Sequence, residues 1–481
     1  MNILQLVVEQ MGNEDIRLYK SYVKRSGNDP SRLDLKLFEA YRKGNTDDDE
    51  FSQKWYGKEG VGAFHRLKNR VVADINKSEL LNLFEEKDTQ PFLLYALFKK
   101  YYNKNQFELA YRYLLKAEKK AAINEDLRLL DEIYASFLRL VREISAIDPL
   151  EISNKIKKNG YVLSYKNRLE ELSALVSHRL RSSQNYSQGE TNELEKLAEL
   201  ATEGIENWLE KGYHTLSLQI LKSACQPLII QGEYQKVSLF LKDRLDLIVS
   251  AEAKNSWIQE LRIELLIYFI NSLNASGNYS EAVVQAELLK SALQDSSDVL
   301  YKKFIYFYYQ SLVNAYSELK EPSKSLMILE DMETKQVATL NPMYEVFLWV
   351  NTAVCLFDLR EYAKSVKTIS KLYISPGYKG LDQTLKLKIE TAELIIRFER
   401  NDLDFAEYKI PRLVKDYQLK NNLNPREFWV IEIISGLSKS PDFRHSEGFR
   451  KMVNSLAEIP RDKGQELIDY SSWIENKFKM K

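Results

Sequence analysis

The four histidines are the first residues to test for chemistry, because imidazole serves both as a metal ligand and as a general base. None of them has a second histidine or a cysteine at metal-ligand spacing. The chain also lacks a glycine-rich phosphate loop and a Gly-x-Ser-x-Gly elbow. We therefore predict no enzymatic activity, no cofactor and no metal site. The histidines are His65, His178, His214 and His445.

Basic side chains on one side of a predicted helix suggest a different chemistry, the binding of phosphate groups. Apolar residues recur at helical intervals there: Phe64, Leu67, Val71 and Ile75. Arg66, Asn69 and Arg70 fall on the other side. Such a helix could dock against DNA or RNA. A solvated amphipathic helix, whose cationic side chains cover apolar surface, gives the same pattern. This second interpretation is favoured, and nucleic-acid binding is the alternative.

An aromatic run over residues 301–309 could anchor a protein ligand, because large rings dominate binding energy at interfaces. One side of this helix must pack inside the protein, so half of the rings are core, and packing is the favoured interpretation. For the remainder we predict contact with a partner protein or peptide. The predicted partner-binding residues are Tyr301, Lys302, Phe304 and Tyr308.

The composition favours an all-α fold to position these residues. Apolar residues make up 44% and charged residues 29% of the chain, which is ordinary for a folded protein. Only 17 Gly and 11 Pro occur in 481 residues. Sheet-rich folds use glycine and proline in many turns, whereas long helices joined by short turns do not.

A short sequence motif recurs at intervals of 40 to 45 residues. It consists of a polar or glycine turn, an aromatic or apolar residue, and a small residue three positions later. Self-similarity at this period predicts stacked helical hairpins, here an irregular α-solenoid behind a small N-terminal helical domain. The third positions of the turns are Tyr234, Tyr279, Pro322, Tyr362 and Leu403.

This motif resembles the tetratricopeptide repeat, although its period is longer than that family's. The best match combines Phe269 and Leu273 on a first helix, the turn Gly277–Tyr279, and Ala282 on a second helix. Another copy runs from Phe98 to Ala117. The resemblance implies a non-catalytic interaction scaffold that holds a peptide or helix of a partner protein. The surface would come from first helices, around residues 213–230, 257–274, 299–318 and 343–358.

Three regions are expected along the chain. Residues 1–86 form a small helical domain, residues 87–182 a basic helical-hairpin region, and residues 190–481 the tetratricopeptide-like array. A polar segment over residues 181–190 is the predicted linker.

The charge balance and the cysteine content indicate the cellular compartment. The 69 basic and 69 acidic residues cancel, although basic residues are concentrated in windows 99–120 and 155–168. Cys225 and Cys355 are too few for a disulfide framework and suit a reducing compartment. No apolar run is long enough to span a membrane. We expect a cytoplasmic protein without membrane contact.

Overall fold

The computed structural model describes residues 3–25, 32–57, 60–83, 89–183, 208, 213–250, 256–417, 425–459 and 466–478. Every regular element within these residues is a helix, which confirms the predicted all-α class. The chain divides into two compact units, Met1–Glu171 and Leu172–Lys481, and the division falls inside a long helix. The predicted boundaries at 86, 182 and 190 stay predictions, since most of the proposed linker lies outside the described residues.

The first unit contains a helical bundle followed by a helical hairpin. Its described helices are α1 (Ile3–Gln10), α2 (Asn13–Arg25), α3 (Leu33–Arg42), α4 (Asp48–Tyr56), α5 (Val61–Asn82), α6 (Gln90–Tyr102), α7 (Phe107–Ile123), α8 (Leu127–Leu140) and the part of α9 (Pro149–Ser183) up to Glu171.

The apolar stripe predicted on α5 is confirmed as core. Phe64, Leu67, Val71 and Ile75 are each at most 3% exposed and pack with buried residues of α2, α3 and α4. The spacing of 3, 4 and 4 residues keeps one helix face turned inward. The other side of α5 is consequently exposed to solvent.

The second unit stacks helical hairpins in chain order. Its described helices are α10 (His214–Ile230), α11 (Tyr234–Lys242), α12 (Leu245–Ser250), α13 (Ser256–Ala275), α14 (Tyr279–Gln294), α15 (Asp298–Glu318), α16 (Pro322–Thr334), α17 (Pro342–Asp358), α18 (Tyr362–Ile374), α19 (Pro376–Lys379), α20 (Gln383–Glu399), α21 (Leu403–Asp416), α22 (Pro425–Lys439), α23 (Glu447–Glu458) and α24 (Tyr470–Phe478). Two short 3₁₀ segments, Val337–Leu340 and Pro441–His445, connect helices within this order.

Each repeat turn closes its hairpin in the same way. At one turn, the Gly277 N–H donates to the Asn274 carbonyl (3.1 Å) and the Asn278 N–H donates to the Leu273 carbonyl (2.8 Å). This pair of bonds is the Schellman motif, which ends a helix through a left-handed residue. The same bonds and a positive φ occur at seven turns, which are the six repeat turns and the turn between α7 and α8, and each following helix begins two residues later. The left-handed residues are Asn105, Glu125, Gly232, Gly277, Lys320, Arg360 and Asn401.

The small residue of the repeated motif lies where the two helices of a hairpin meet. Ser365 of α18 is fully buried, and its hydroxyl donates to the Ala353 carbonyl of α17 (2.7 Å). Ser325 of α16 makes the corresponding bond to the Val313 carbonyl of α15 (3.3 Å). Such contacts require the helix backbones to approach closely, so a large side chain is excluded here. The equivalent residues Ala110, Ala282 and Ala406 are at most 1% exposed.

The last hairpin is held by buried polar contacts. Arg426 of α22 pairs with Glu466, and its Nη1 donates to the Leu456 carbonyl (2.8 Å). From α24, the Trp473 indole N–H donates to the Glu399 carboxylate of α20 (2.8 Å). The contacts of Arg426 join α22 to α23 and to the segment after it, and the contact of Trp473 docks α24 on α20.

Candidate partner-binding surface

The structure separates the four predicted partner-binding residues. Lys302 is exposed and pairs with Asp298 (2.6 Å), and Tyr301 is half-buried. Phe304 and Tyr308 are only 6% and 3% exposed. Two of the predicted residues, Phe304 and Tyr308, thus lie in the packing between helices, and the role of the set in binding stays a prediction.

The burial of Tyr308 has a clear cause in the stacking of hairpins. Its hydroxyl donates to the Glu287 carboxylate of α14 (3.3 Å), and the Lys290 ammonium lies 5.4 Å from its ring centre. Tyr309, the next residue, donates to the Asp331 carboxylate of α16 (2.7 Å). One side of α15 thus packs on the preceding hairpin and another on its own second helix.

Four other rings form the candidate surface, and we call them the first-helix aromatic cluster. Tyr306 and Phe307 lie on α15, Tyr344 and Phe347 lie on α17, and all four are half-buried. The Tyr306 and Tyr344 rings stack with centroids 3.9 Å apart at 3°. Phe347 meets Tyr306 edge-on at 5.3 Å. The cluster joins two successive first helices and is already packed in the absence of any partner.

The Tyr306 hydroxyl of the cluster can donate a hydrogen bond. Burial, together with the neighbouring Tyr344, raises the pKa of Tyr306 to about 12. Its hydroxyl is therefore protonated at neutral pH. The surface has the character of apolar rings with a polar handle, which suits a protein ligand better than an anion.

Repeat geometry extends this surface with asparagines. Phe307 and Phe347 each lie thirteen residues before the left-handed residue of their turn, so they are equivalent. Asn271 of α13 and Asn314 of α15 are likewise equivalent, six residues before their turns, and both are exposed. Asn314 is seven residues after Phe307 and shares its helix face. Amide side chains on this face can both donate to and accept from a peptide backbone.

None of the four residues of the cluster was among the predicted partner-binding residues. Tyr306 and Phe307 lie in the aromatic run, but Tyr344 and Phe347 come from the following hairpin. Alignment of the repeats on their turns would have paired Phe307 with Phe347. No sequence signal shows that the Tyr306 and Tyr344 rings stack, because that depends on how the hairpins pack.

The alternative site on α5 has the predicted placement. Arg66, Asn69 and Arg70 are all exposed, opposite the buried stripe. Arg70 also acts within the protein. Burial opposes ionisation of Asp34, but hydrogen bonds from Arg32 and the Leu35 N–H, with the charges of Arg32 and Arg70, hold its pKa below the ordinary value. Part of this basic surface therefore serves the charge balance of the first unit.

The two basic windows differ in how their charges are used. In window 155–168, Lys155 pairs with Glu118 and Glu151, both at 3.0 Å. In window 99–120, the Tyr101 and Tyr113 rings stack at 5.3 Å. A lysine ammonium lies 5.8 Å from each ring centre. Both windows thus contain local ion-pair or cation–π contacts.

Chemical reactivity is not indicated at either cysteine. Both are free and buried, and burial raises the pKa of the Cys225 and Cys355 thiols to about 12. A thiol is a nucleophile only as a thiolate, so burial disfavours the reactive form of both side chains. Within the described ranges, no group of three or more His, Cys, Asp or Glu side chains could hold a metal ion.

Comparison with known proteins leaves the surface to be interpreted on its own geometry. No protein-family model matches the chain, and no curated protein matches its sequence. In the part of the chain that the structure describes, no helix has the length and apolar character needed to cross a bilayer.

Proposed function

We propose that the protein is a non-catalytic, tetratricopeptide-like scaffold that holds a peptide or helix of a partner protein on its first helices. The observation that carries the proposal is the first-helix aromatic cluster. Its four rings are half-buried and packed on one another across two successive hairpins. The resemblance of the repeats to the tetratricopeptide family supports it, because that family binds partners on the same set of helices.

The physical basis of binding is preorganisation. Ring stacking fixes the side chains of Tyr306 and Tyr344, so a ligand need not immobilise them. Burying the remaining exposed parts of the four rings gives a compact apolar anchor, the usual core of an interface hot spot. Asn314 supplies an amide group on the helix face of Phe307, and Asn271 supplies one at the equivalent position of the preceding first helix; these would set the register of a peptide backbone.

The test introduces a single substitution into the full chain. Asn314→Arg places a long cation on the ligand face without touching a buried residue, and Asn76→Arg is the matched control on an exposed side of α5. Captured proteins are quantified by mass spectrometry against the wild type. We expect Asn314→Arg to lower recovery of the main partner at least about 10-fold, a loss of about 1.4 kcal/mol. Equal recovery with both variants would overturn the proposal.

Nucleic-acid binding by α5 is the second candidate, and the exposure of Arg66, Asn69 and Arg70 on one side favours it. It predicts affinity for DNA or RNA that falls steeply with salt, because bound phosphates release counterions. Arg66→Ala with Arg70→Ala would reduce both the affinity and the salt slope. Absence of binding in fluorescence anisotropy at low salt eliminates this function.

A further inference from the structure

The hairpin formed by α6 and α7 holds two parallel tyrosine rings. Tyr101 of α6 and Tyr113 of α7 stack with ring centroids 5.3 Å apart and planes 8° apart. Both side chains are half-buried and pack against the buried core of the hairpin. Because each ring fixes the other, a ligand need not immobilise them. The pair therefore offers an ordered aromatic contact.

Exposed lysines surround the two rings. The Lys100 ammonium lies 5.8 Å from the Tyr101 ring centre, and the Lys116 ammonium lies 5.8 Å from that of Tyr113. Lys120 is seven residues after Tyr113 and lies on the same helix face. Cation–π contacts reach only to about 6 Å, so these lysines are weakly held and can turn to an anion. We call Tyr101, Tyr113, Lys100, Lys116 and Lys120 the tyrosine–lysine platform.

The positive charge around the platform is not neutralised locally. Residues 99–120 contain seven basic and two acidic side chains. All seven basic side chains are exposed, and the ion pairs among the described residues of the first unit include none of them. One of the two acids, Glu118, is itself paired with Lys155 of α9 (3.0 Å). The seven are Lys99, Lys100, Lys104, Arg112, Lys116, Lys119 and Lys120. The platform thus attracts an anionic ligand.

Single-stranded nucleic acid combines the two groups that this surface can bind. Its bases are free to stack on aromatic rings, and its phosphates pair with basic side chains. A duplex keeps its bases stacked inside and presents chiefly phosphates to such a surface. An anionic membrane would require an apolar helix face beside the cations, but Ala110, Leu114 and Ala117 of α7 are fully buried in the hairpin. The aromatic and basic groups together therefore favour a single strand.

We propose that the tyrosine–lysine platform binds single-stranded nucleic acid. A base stacks on the exposed part of the tyrosine pair, and the adjoining phosphates contact Lys100, Lys116 and Lys120. Bases and phosphates are common to DNA and RNA, so binding is independent of the sugar. This site is separate from the first-helix aromatic cluster and from the basic side of α5, and it goes beyond the function proposed above.

The first test compares nucleic-acid probes for binding to the full chain in fluorescence anisotropy. A fluorescein-labelled deoxyuridine oligomer of about 12 nucleotides is the single strand, and the same oligomer annealed to its complement is the duplex. We expect the single strand to bind at least about 5-fold more tightly, as one stacked base requires. A uridine oligomer should bind as well as the deoxyuridine oligomer.

Four results of this comparison would overturn the proposal. They are the absence of binding at low salt, equal binding of the duplex, a strong preference for one sugar, and displacement of the strand by oligoglutamate or phosphatidylglycerol vesicles as effectively as by unlabelled oligomer. In the last case, charge alone would account for the binding.

Two substitutions of Tyr113 test the stacking. Tyr113→Leu keeps an apolar side chain but removes the ring, and it should weaken binding of the single strand at least about 5-fold. Tyr113→Phe keeps the ring and should bind as the wild type does. Circular dichroism verifies that both variants are folded. Equal affinities of the two variants would show that the ring does not contact a base, and the proposal would fail.

The contribution of the lysines is measured through salt dependence. Lys100→Gln combined with Lys116→Gln should reduce the slope of log affinity against log salt by about 1.4, since each phosphate contact of a single strand contributes about 0.7. The control is Lys367→Gln with Lys415→Gln, which removes two exposed lysines from the second unit and should leave the slope unchanged. An equal change of slope in both double variants would contradict the proposal.

The basic side of α5 is the competing site in the first unit. If Arg66→Ala with Arg70→Ala abolishes binding of the single strand, while the variant of Lys100 and Lys116 binds normally, the strand lies on α5 and the proposal is wrong. The reverse result supports the platform.

Discussion

The first and second helices of the same hairpins expose apolar residues in different ways. On the first helices, four rings touch one another across α15 and α17 and stay half-buried. On the second helices, Leu239, Val284 and Met327 stand singly, each between charged residues. The rings of the cluster are packed on one another, whereas the three second-helix residues lie on three different helices.

The difference follows from how the hairpins stack. In one hairpin the first helix α15 buries nine of its 21 residues and the second helix α16 three of 13, whereas in the next hairpin α17 and α18 bury similar shares, six of 17 and five of 13. A first helix is packed between its own partner and the neighbouring hairpins, so few positions reach solvent and those are close together. A second helix has a broad outer side, where isolated apolar residues are surrounded by polar ones.

The substitution Ser365→Leu should have the largest effect on stability, since it separates the first and second helices of a hairpin. Ser365 is fully buried against the Ala353 carbonyl. Overpacking costs about 1–3 kcal/mol, and the lost hydrogen bond adds about 1 kcal/mol. We expect a loss of about 3 kcal/mol in urea unfolding. Ser370→Leu, at an exposed position of the same helix, should change stability by less than about 0.5 kcal/mol. Equal effects would contradict the close-approach argument.

Gly277→Ala tests the turn that joins a first to a second helix. Gly277 has a φ of +85°, and no atom lies within 4 Å of an added Cβ, so backbone strain is the only cost. We expect a loss of about 1 kcal/mol in thermal unfolding. Gly160 has equal space but lies inside α9. There the same change should stabilise the protein by about 1 kcal/mol. The same sign at both sites would show that the left-handed turn is not the cause.

The substitution Glu427→Gln tests α22, a first helix that buries a carboxylate and contributes no ring to the first-helix aromatic cluster. Glu427 is 5% exposed, and burial raises its pKa above the ordinary 4.5. The folded protein then holds this proton more tightly than the unfolded chain, so stability falls as pH rises through the interval above 4.5. The glutamine should therefore stabilise the protein by about 1 kcal/mol at pH 7.

Thermal melts across pH measure this effect. The advantage of the glutamine variant should shrink as pH falls toward the ordinary carboxyl pKa. A difference from the wild type that is independent of pH would rule out titration of Glu427 as its source.

Lys320→Gly has the smallest expected effect on stability. It compares lysine with glycine at the left-handed position of a turn. Lys320 adopts a φ of +59°, which strains a residue with a Cβ. Glycine removes that strain but loses more entropy on folding, and the net gain is about 0.5 kcal/mol. The same change at Lys302, in the helical part of α15, should cost about 1 kcal/mol. Denaturant midpoints of the two variants should therefore move in opposite directions.

The sequence predicts the fold well because its signals are local. Turn residues such as Gly277 and the small residue Ala282 mark where helices end and meet, and helical periodicity on α5 identifies its buried stripe. The binding surface is harder to predict, because exposure depends on contacts with other hairpins. Phe304 and Phe307 look alike in the aromatic run, yet one is buried and the other half-exposed.

The most direct test of the central claim maps where a partner touches the protein in cells. A photoreactive phenylalanine analogue is placed at Asn314, beside the aromatic cluster, and in a second variant at Asn69 on α5. Both asparagines are exposed on helices, so the two positions are matched. We predict a protein crosslink from position 314 and none from position 69. Crosslinks to nucleic acid from position 69, with none from position 314, would contradict the account.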